Sequence, residues 1–290
     1  MRQTIHTLVI IAIALLIVAS GSGVFCIDDG MPFTVISQYG NEITLYGKGI
    51  YKNDAAFLAP IFRGTDFVML FVVVPLLTFF LFSDKKRRSF KSLLTLNSAL
   101  FMVLYYAVNV AFGIVFNSLH LVYTALLSVT FFALCTAIFE LVKVYSKGFS
   151  NDFKITNGLK IFIFVSGIAL FGAWLPDIIS AHLSAKPLSY LENYTTSVTY
   201  VLDMGFVSPL LFIALYLLKK RPFYGVCLLS MLLYLSMLIG IILPVQTWFQ
   251  LQSGIEIPFP ELLSKVLIFI LLSVVSFYFN QRLFLSISER

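Results

Sequence analysis

The sequence predicts an all-α fold: a polytopic transmembrane bundle of about eight helices, with a small extracytoplasmic loop that resembles a β-hairpin. Three observations carry this. The 290 residues are 59% hydrophobic and 12% charged. Mean hydropathy is +0.95, and a soluble domain of this size cannot hide so much apolar surface. Eight long apolar segments alternate with short loops, and positive charge falls on every second loop.

A bilayer core takes about 20 apolar residues per helix. The segments are 7–26, 67–83, 92–116, 119–142, 158–176, 196–218, 222–247 and 262–280. Residues 1–290 thus read as one transmembrane domain. The first segment has two readings. Arg2, the run Leu8 to Val18 and the small residues Ala19-Ser20-Gly21 resemble a signal peptide, whose cleavage leaves seven helices. Apolar character resumes at Val24-Phe25-Cys26, which favours a retained anchor. Gly21 and Gly23 are then loose points or packing contacts.

Residues 27–66 form the longest loop. Thr34-Val35-Ile36-Ser37 and Ile43-Thr44-Leu45-Tyr46 are β-prone, and Gln38-Tyr39-Gly40-Asn41-Glu42 between them signals a hairpin turn. A lone hairpin is unstable in water, so this loop must pack on the bundle or on a protein partner. Asp54 to Arg63 reads as a short helix on the membrane surface. Arg63 and Asp66 read as a local ion pair, or as part of a cap over an outward-facing cavity. Further along, Pro75, Pro209 and Pro244 lie in or at the ends of segments and remove backbone donors. A kink at Pro209 would free carbonyls near Asp203. Broken helices beside a polar site are a transporter habit, but no internal repeat is visible, which weighs against transport.

Charge sets the orientation. With the N-terminus in the cytoplasm, the inner loops hold Lys85, Lys86, Arg87, Arg88, Lys91, Lys143, Lys147, Lys154, Lys160, Lys219, Lys220 and Arg221. Arg2, Arg282 and Arg290 bring the inner total to 15 of 20, leaving Lys48, Lys52, Arg63, Lys186 and Lys265 outside. An even helix number places both termini in the cytoplasm, in a multi-pass protein of the cell membrane. The net charge of +6 is therefore a topology signal. It faces the lipid bilayer and its anionic headgroups, and nucleic acid is not a partner.

Motifs of known chemistry are absent. The three cysteines, Cys26, Cys135 and Cys227, form no CxxC, and His6, His120 and His182 show no ligand spacing. No GxSxG, HExxH or Walker pattern occurs, so neither metal nor cofactor is indicated. Asn193-Tyr194-Thr195 is a glycosylation sequon on an outer loop. Asp177 and His182 on the same loop are a possible acid and base.

The polar residues inside the segments locate a candidate site. Asp203 is an acid roughly 12 Å deep at 1.5 Å per residue. A carboxylate at membrane depth costs about 2.5–3.5 kcal/mol and normally faces the bundle interior or water. Asn109 lies at similar depth, with Tyr105 and Tyr106 one turn below and Asn117 two turns above. His120, Thr124 and Ser128 recur every four residues and share a helical face. Tyr200 stands one turn above Asp203. Such groups often only join neighbouring helices, at about 0.6 kcal/mol each. Trp174 and Trp248 fit an outer aromatic belt.

The run Leu45-Tyr46-Gly47-Lys48-Gly49-Ile50-Tyr51, then Asp54, Arg63-Gly64-Thr65-Asp66 and Val74-Pro75-Leu76-Leu77, resembles an uncharacterised family of prokaryotic multi-pass membrane proteins. So do Asn117 to Tyr123 and Tyr200-Val201-Leu202-Asp203, although Ser118 and His120 depart from the family pattern. The resemblance implies topology and a choice of residues, and no activity. Together these readings predict a water-accessible polar pocket in the outer half. It would bind or transport a small or amphiphilic ligand through Asp203, Asn109, Tyr105, Tyr106, Thr124, Tyr200, His120, Asn117, Arg63 and Asp66. Two alternatives stand beside this. One is an intramembrane enzyme on lipid-linked or envelope substrates. The other is an accessory or sensor subunit whose outer loop engages a protein partner.

Overall fold

A computed structural model describes residues 1–26, 28–147, 149, 153–188 and 190–287, without the side chains of Glu261, Ser264 and Lys265. Arg290 and the Lys265 side chain, both used for orientation, lie outside the described residues. Among the described residues, eight helices are long and apolar enough to cross a membrane: α1 (Arg2–Phe25), α2 (Ala59–Arg87), α3 (Phe90–Phe112), α4 (His120–Tyr145), α5 (Asn157–Ser184), α6 (Val198–Lys220), α7 (Pro222–Gln252) and α8 (Ile268–Ser286). The chain is a multi-pass membrane protein.

Three boundaries differ from the sequence reading, each for a physical reason. Asp54 to Arg63 makes no separate surface helix. Pro60 sits in the first turn of α2, where its missing N–H costs nothing, and the helix runs on from Ala59 through Arg63 and Asp66. Helix α3 stops at Phe112 instead of residue 116, ahead of Gly113. Helix α5 continues through Pro176 to Ser184, so Asp177 and His182 lie on a helix and not on a loop. A proline removes one bond from a helix without ending it when neighbouring groups compensate.

Packing centres on α3 and α7. Two thirds of the apolar window of α3 is buried (67%), against 22% for α8, which marks α3 as an interior helix and α8 as a peripheral one. Helix α1 packs on α4 and α2, with Ile5, Val9, Ala12, Leu16 and Ala19 fully buried. Gly64 lets α2 meet α7: a Cβ there would stand 2.7 Å from the Gln246 Cα. Small residues serve helix contacts in this way throughout membrane proteins.

Helices α2 and α6 share one design. A π segment, Met69–Val73 or Asp203–Val207, ends two residues before a proline. The carbonyls that Pro75 and Pro209 leave unpaired, on Phe71 and Gly205, fall inside these segments. The surrounding residues repeat as well. Val73-Val74-Pro75-Leu76-Leu77 matches Val207-Ser208-Pro209-Leu210-Leu211, and Lys85-Lys86-Arg87-Arg88-Ser89-Phe90 resembles the one-residue-shorter Lys219-Lys220-Arg221-Pro222-Phe223. Equivalent residues then meet across α3 and α7. The Phe90 and Phe223 rings lie 5.8 Å apart. Ser98 and Ser230 share a 2.8 Å hydrogen bond, and Asn97 donates to Met231 Sδ at 3.3 Å. These reciprocal contacts describe a local two-fold relation between α2–α3 and α6–α7. The sequence reading missed this repeat because only short stretches of it survive.

At one end, the antiparallel strands β1 (Phe33–Ile36) and β2 (Glu42–Leu45) pair Phe33 with Leu45 and Ile36 with Glu42. The turn closes through Ser37 N–H to Asn41 O at 2.8 Å, with Gly40 at φ 79°. The hairpin does pack on the bundle: Gln38 Nε2 and Tyr39 Oη each donate to Tyr194 O at 3.0 Å.

At the other end, the lysine-rich one, Arg2 grips Asp84 with two bonds, at 3.0 and 3.2 Å. Asp84 is fully buried, and it also contacts His6 Nε2 at 2.8 Å and accepts from Ser92 Oγ at 2.7 Å. Arg2 further donates to Arg88 O, Ser89 O and Tyr145 Oη. One guanidinium thus joins α1, the α2–α3 turn and α4. Arg2→Ala should destabilise the protein by about 3–5 kcal/mol, since it strands a buried charge. Arg2→Lys should recover part of that, as a point charge without the fork. Denaturant titration in detergent reads both, and a wild-type profile for Arg2→Ala would refute the clamp.

Candidate functional site

Adjacent residues on α3 differ by about 100° in direction. Tyr105 and Tyr106 therefore reach different carboxyls from different faces of the helix. Each carboxyl anchors its own cluster.

The first cluster joins α3, α5 and α6. Asp203 begins the π segment of α6 and is 3% exposed. Its Oδ1 accepts from Tyr105 Oη at 2.8 Å and its Oδ2 from Trp174 Nε1 at 2.9 Å. The Trp174 ring stacks on Tyr200, with centroids 4.4 Å apart. Tyr200 Oη in turn donates to Asp177 Oδ2 at 2.9 Å. Asn109 donates to Tyr105 O and accepts from Thr199 Oγ1, both at 2.9 Å. Below this cluster an apolar crevice runs between α5, α6, α7 and α8. Leu170, Val207, Leu211, Leu235 and Phe269 line it, with Ser166. Val207 lies one turn from Asp203, and Leu170 one turn from Trp174.

The second cluster joins α2, α3, α4 and the loop after β2. Asp66 is fully buried and accepts from Tyr106 Oη and Tyr51 Oη, both at 2.6 Å. Gly23 of α1 backs it so closely that a Cβ would overlap Asp66 Oδ2. Tyr123 of α4, 1% exposed, turns its hydroxyl toward Asn117 and Tyr51 without bonding to either. Arg63 does not form the expected ion pair with Asp66. It donates to Tyr46 Oη at 2.9 Å and to Gly23 O at 3.3 Å, and lies over the Phe249 ring.

A lid closes over this second cluster. Asp54 is fully buried between three loops and accepts from Val115 N at 2.8 Å and Tyr194 Oη at 2.7 Å. Asn193 donates to Asn53 O at 2.9 Å, which engages the sequon amide in the lid. Phe57 stacks on Tyr190 at 4.5 Å.

Four of the sequence candidates thus meet around Asp203: Tyr105, Asn109, Tyr200 and Asp203 itself. Asp66, Tyr106 and Asn117 belong to the other cluster, with Arg63 at its edge. His120, Thr124 and Ser128 face outward. Thr124 only bonds the His120 carbonyl, at 2.9 Å. The inward face of α4 is the Tyr123, Leu126, Thr130, Ala133 stripe. Periodicity grouped the three residues correctly on one face but gave no sign of which way it points. Trp174 serves the Asp203 cluster and not the aromatic belt, whereas Trp248 is exposed. Sequence reasoning also missed Tyr51, Tyr123 and Thr199. Tyr51 and Asp54 do stand in the glycine-rich block that follows β2. Set against family models, curated proteins and solved structures, the chain matches none.

Burial pushes the Asp54 carboxyl up from 3.8 to about 7, against the bonds from Val115 and Tyr194. The closed lid therefore favours protonated Asp54. Stability from this group is full below the unfolded value and is lost as pH rises to about 7. Glu192, raised by burial, adds in the same sense, while Asp28, lowered chiefly by the Gly49 N–H, opposes it. Both remain in Asp54→Asn, so the wild-type-minus-variant difference isolates Asp54. Melting curves should show that difference falling with pH between about 4 and 7, by several kcal/mol at about 1.4 per unit. A flat difference would mean that Asp54 does not report lid closure.

Proposed function

We propose that this membrane protein binds or transports a small amphiphilic ligand at Asp203. One observation carries the reading: a buried carboxyl with only neutral donors stands one helical turn from Val207, which lines an apolar crevice. Among the described residues, no lysine or arginine contacts Asp203. A carboxyl held by Tyr105 and Trp174 can exchange those donors for a ligand's ammonium or hydroxyl group. The crevice below suits the ligand's apolar portion. The π segment and Pro209 supply the give in α6 that opening requires. The two-fold relation of α2–α3 to α6–α7 also supports transport, since parallel repeats about the membrane normal are a transporter architecture.

Native mass spectrometry in mild detergent tests this directly. Wild type should retain a discrete small-molecule mass that drops at least tenfold in Asp203→Asn. The same profile in both proteins, or no retained mass in either, would remove the basis for the reading.

The orientation follows from charge. We place the hairpin end outside the cell membrane and the lysine-rich end, with both termini, in the cytoplasm. In a Cys26→Ser background, a membrane-impermeant maleimide applied to intact cells should label Ile36→Cys and spare Lys147→Cys. The reverse pattern would invert the topology.

A further inference from the structure

The Asp66 cluster holds three buried polar atoms with no hydrogen-bond partner among the described residues: Asp54 Oδ2, Asn117 Nδ2 and Tyr123 Oη. Asp54 is wholly buried and Tyr123 is 1% exposed. They are not scattered. The Tyr123 hydroxyl stands beside Asn117 and Tyr51 and within the electrostatic reach of both Asp54 and Asp66. The Asn117 Oδ1 is already committed to the Leu119 N–H, at 2.9 Å, which leaves its Nδ2 pointing into the same space. One donor, one acceptor and one hydroxyl, all buried and all unmatched, are the complement of a water molecule.

We propose that Asp54, Asn117 and Tyr123 hold internal water, and that this water with Tyr51 forms a proton path from the lid to Asp66. The water accepts from Asn117 Nδ2, which orients it, and links Asp54 Oδ2 to Tyr123 Oη. A proton leaving Asp54 Oδ2 is taken by the water, which releases one of its own to Tyr123. Tyr123 passes its proton to Tyr51 when the two neighbouring hydroxyls close to hydrogen-bond distance, and Tyr51 passes its proton to Asp66 across the existing 2.6 Å bond. One proton has then moved. Every hydroxyl and the water keep their hydrogen count, Asp54 ends ionised and Asp66 ends protonated. Around Asp66 the other titratable or charged groups are Tyr106 on α3 and Arg63 on its own helix. Around Asp54 they are Tyr194 and, beyond it, Glu192.

This path is separate from the Asp203 site and stands without it. Asp203 bonds to a different tyrosine, on a different face of α3. The relay gives the lid a chemical connection to a carboxyl inside the membrane, through the one side chain, Tyr51, that the lid inserts there.

Time-resolved infrared spectroscopy of the protein in nanodiscs tests it, with a step from H2O to D2O as the probe. Measurement in an Asp203→Asn background removes that carboxyl from the spectrum and makes the result independent of ligand binding. Asp54→Asn and Asp66→Asn assign the two remaining carboxyl bands. Tyr123→Phe removes one hydroxyl and keeps the ring. It should slow deuterium exchange at Asp66 at least tenfold while exchange at Asp54 is unchanged, with the melting temperature as a check on folding. Asn117→Asp, which replaces the orienting donor with an acceptor, should slow Asp66 in the same way. Exchange at the wild-type rate in Tyr123→Phe overturns the relay. So does an Asp66 band that follows sodium concentration and ignores pH, because the space would then hold a metal cation. Should Tyr123→Phe fail to fold, Asn117→Asp alone decides, by the same two outcomes.

Discussion

A carboxyl out of reach of water must find donors inside the protein, and that requirement organises this molecule. Four aspartates are buried among the described residues: Asp54, Asp66, Asp84 and Asp203. Each accepts at least two hydrogen bonds, and each draws them from more than one segment. Dispersion between apolar helices holds a bundle together but does not select one arrangement, since lipid tails are as apolar as leucine. The aspartates supply the selection. Asp84 fixes α1 against α2 and α3, Asp66 fixes the lid against α2 and α3, and Asp203 fixes α6 against α3 and α5. Misplacing any of these helices leaves a buried carboxyl short of donors, at a cost of several kcal/mol.

The four are not equivalent. Asp84 is met by a guanidinium in two-bond geometry, which makes it a structural tie. The other three are met by hydroxyl, indole and amide donors alone. Neutral donors hold a carboxylate less tightly than a guanidinium does, so these carboxyls exchange partners more readily. Charge chemistry is thereby concentrated at the hairpin end. The lysine-rich end is locked.

Much of the bundle was legible in the sequence because its two strongest signals are cumulative. Hydropathy over about 20 residues and the Lys/Arg asymmetry of loops both average over many positions. The hairpin was legible within one residue, since Gly40-Asn41 sets the turn and alternation sets the register. What failed were single positions. Reading Arg63 and Asp66 as loop residues moved the start of α2 by eight residues, because a charged side chain looks like a boundary until its partners are known. Asp203 was visible as an intramembrane acid, yet its second partner, Trp174, was hidden behind the general preference of tryptophan for interfaces. The face carrying His120, Thr124 and Ser128 was assigned inward on polarity alone, although a threonine satisfied by its own helix can face lipid.

The repeat explains where the chemistry sits. Aligned on Phe90 and Phe223, the α7 counterparts of Tyr105, Tyr106 and Asn109 are Leu238, Ile239 and Ile242. Helices α2–α3 and α6–α7 keep the same breaks, the same basic turn and their mutual contact, but at these positions α3 is polar and α7 is apolar. A symmetric frame gives two helices, α2 and α6, that bend at equivalent points. The asymmetry of α3 then gives each of them a different carboxyl partner, Tyr106 for Asp66 and Tyr105 for Asp203. Because these tyrosines are neighbours on one rigid helix, a movement of α3 that lengthens one bond alters the other. The two carboxyl clusters are therefore joined mechanically through a single residue step on α3.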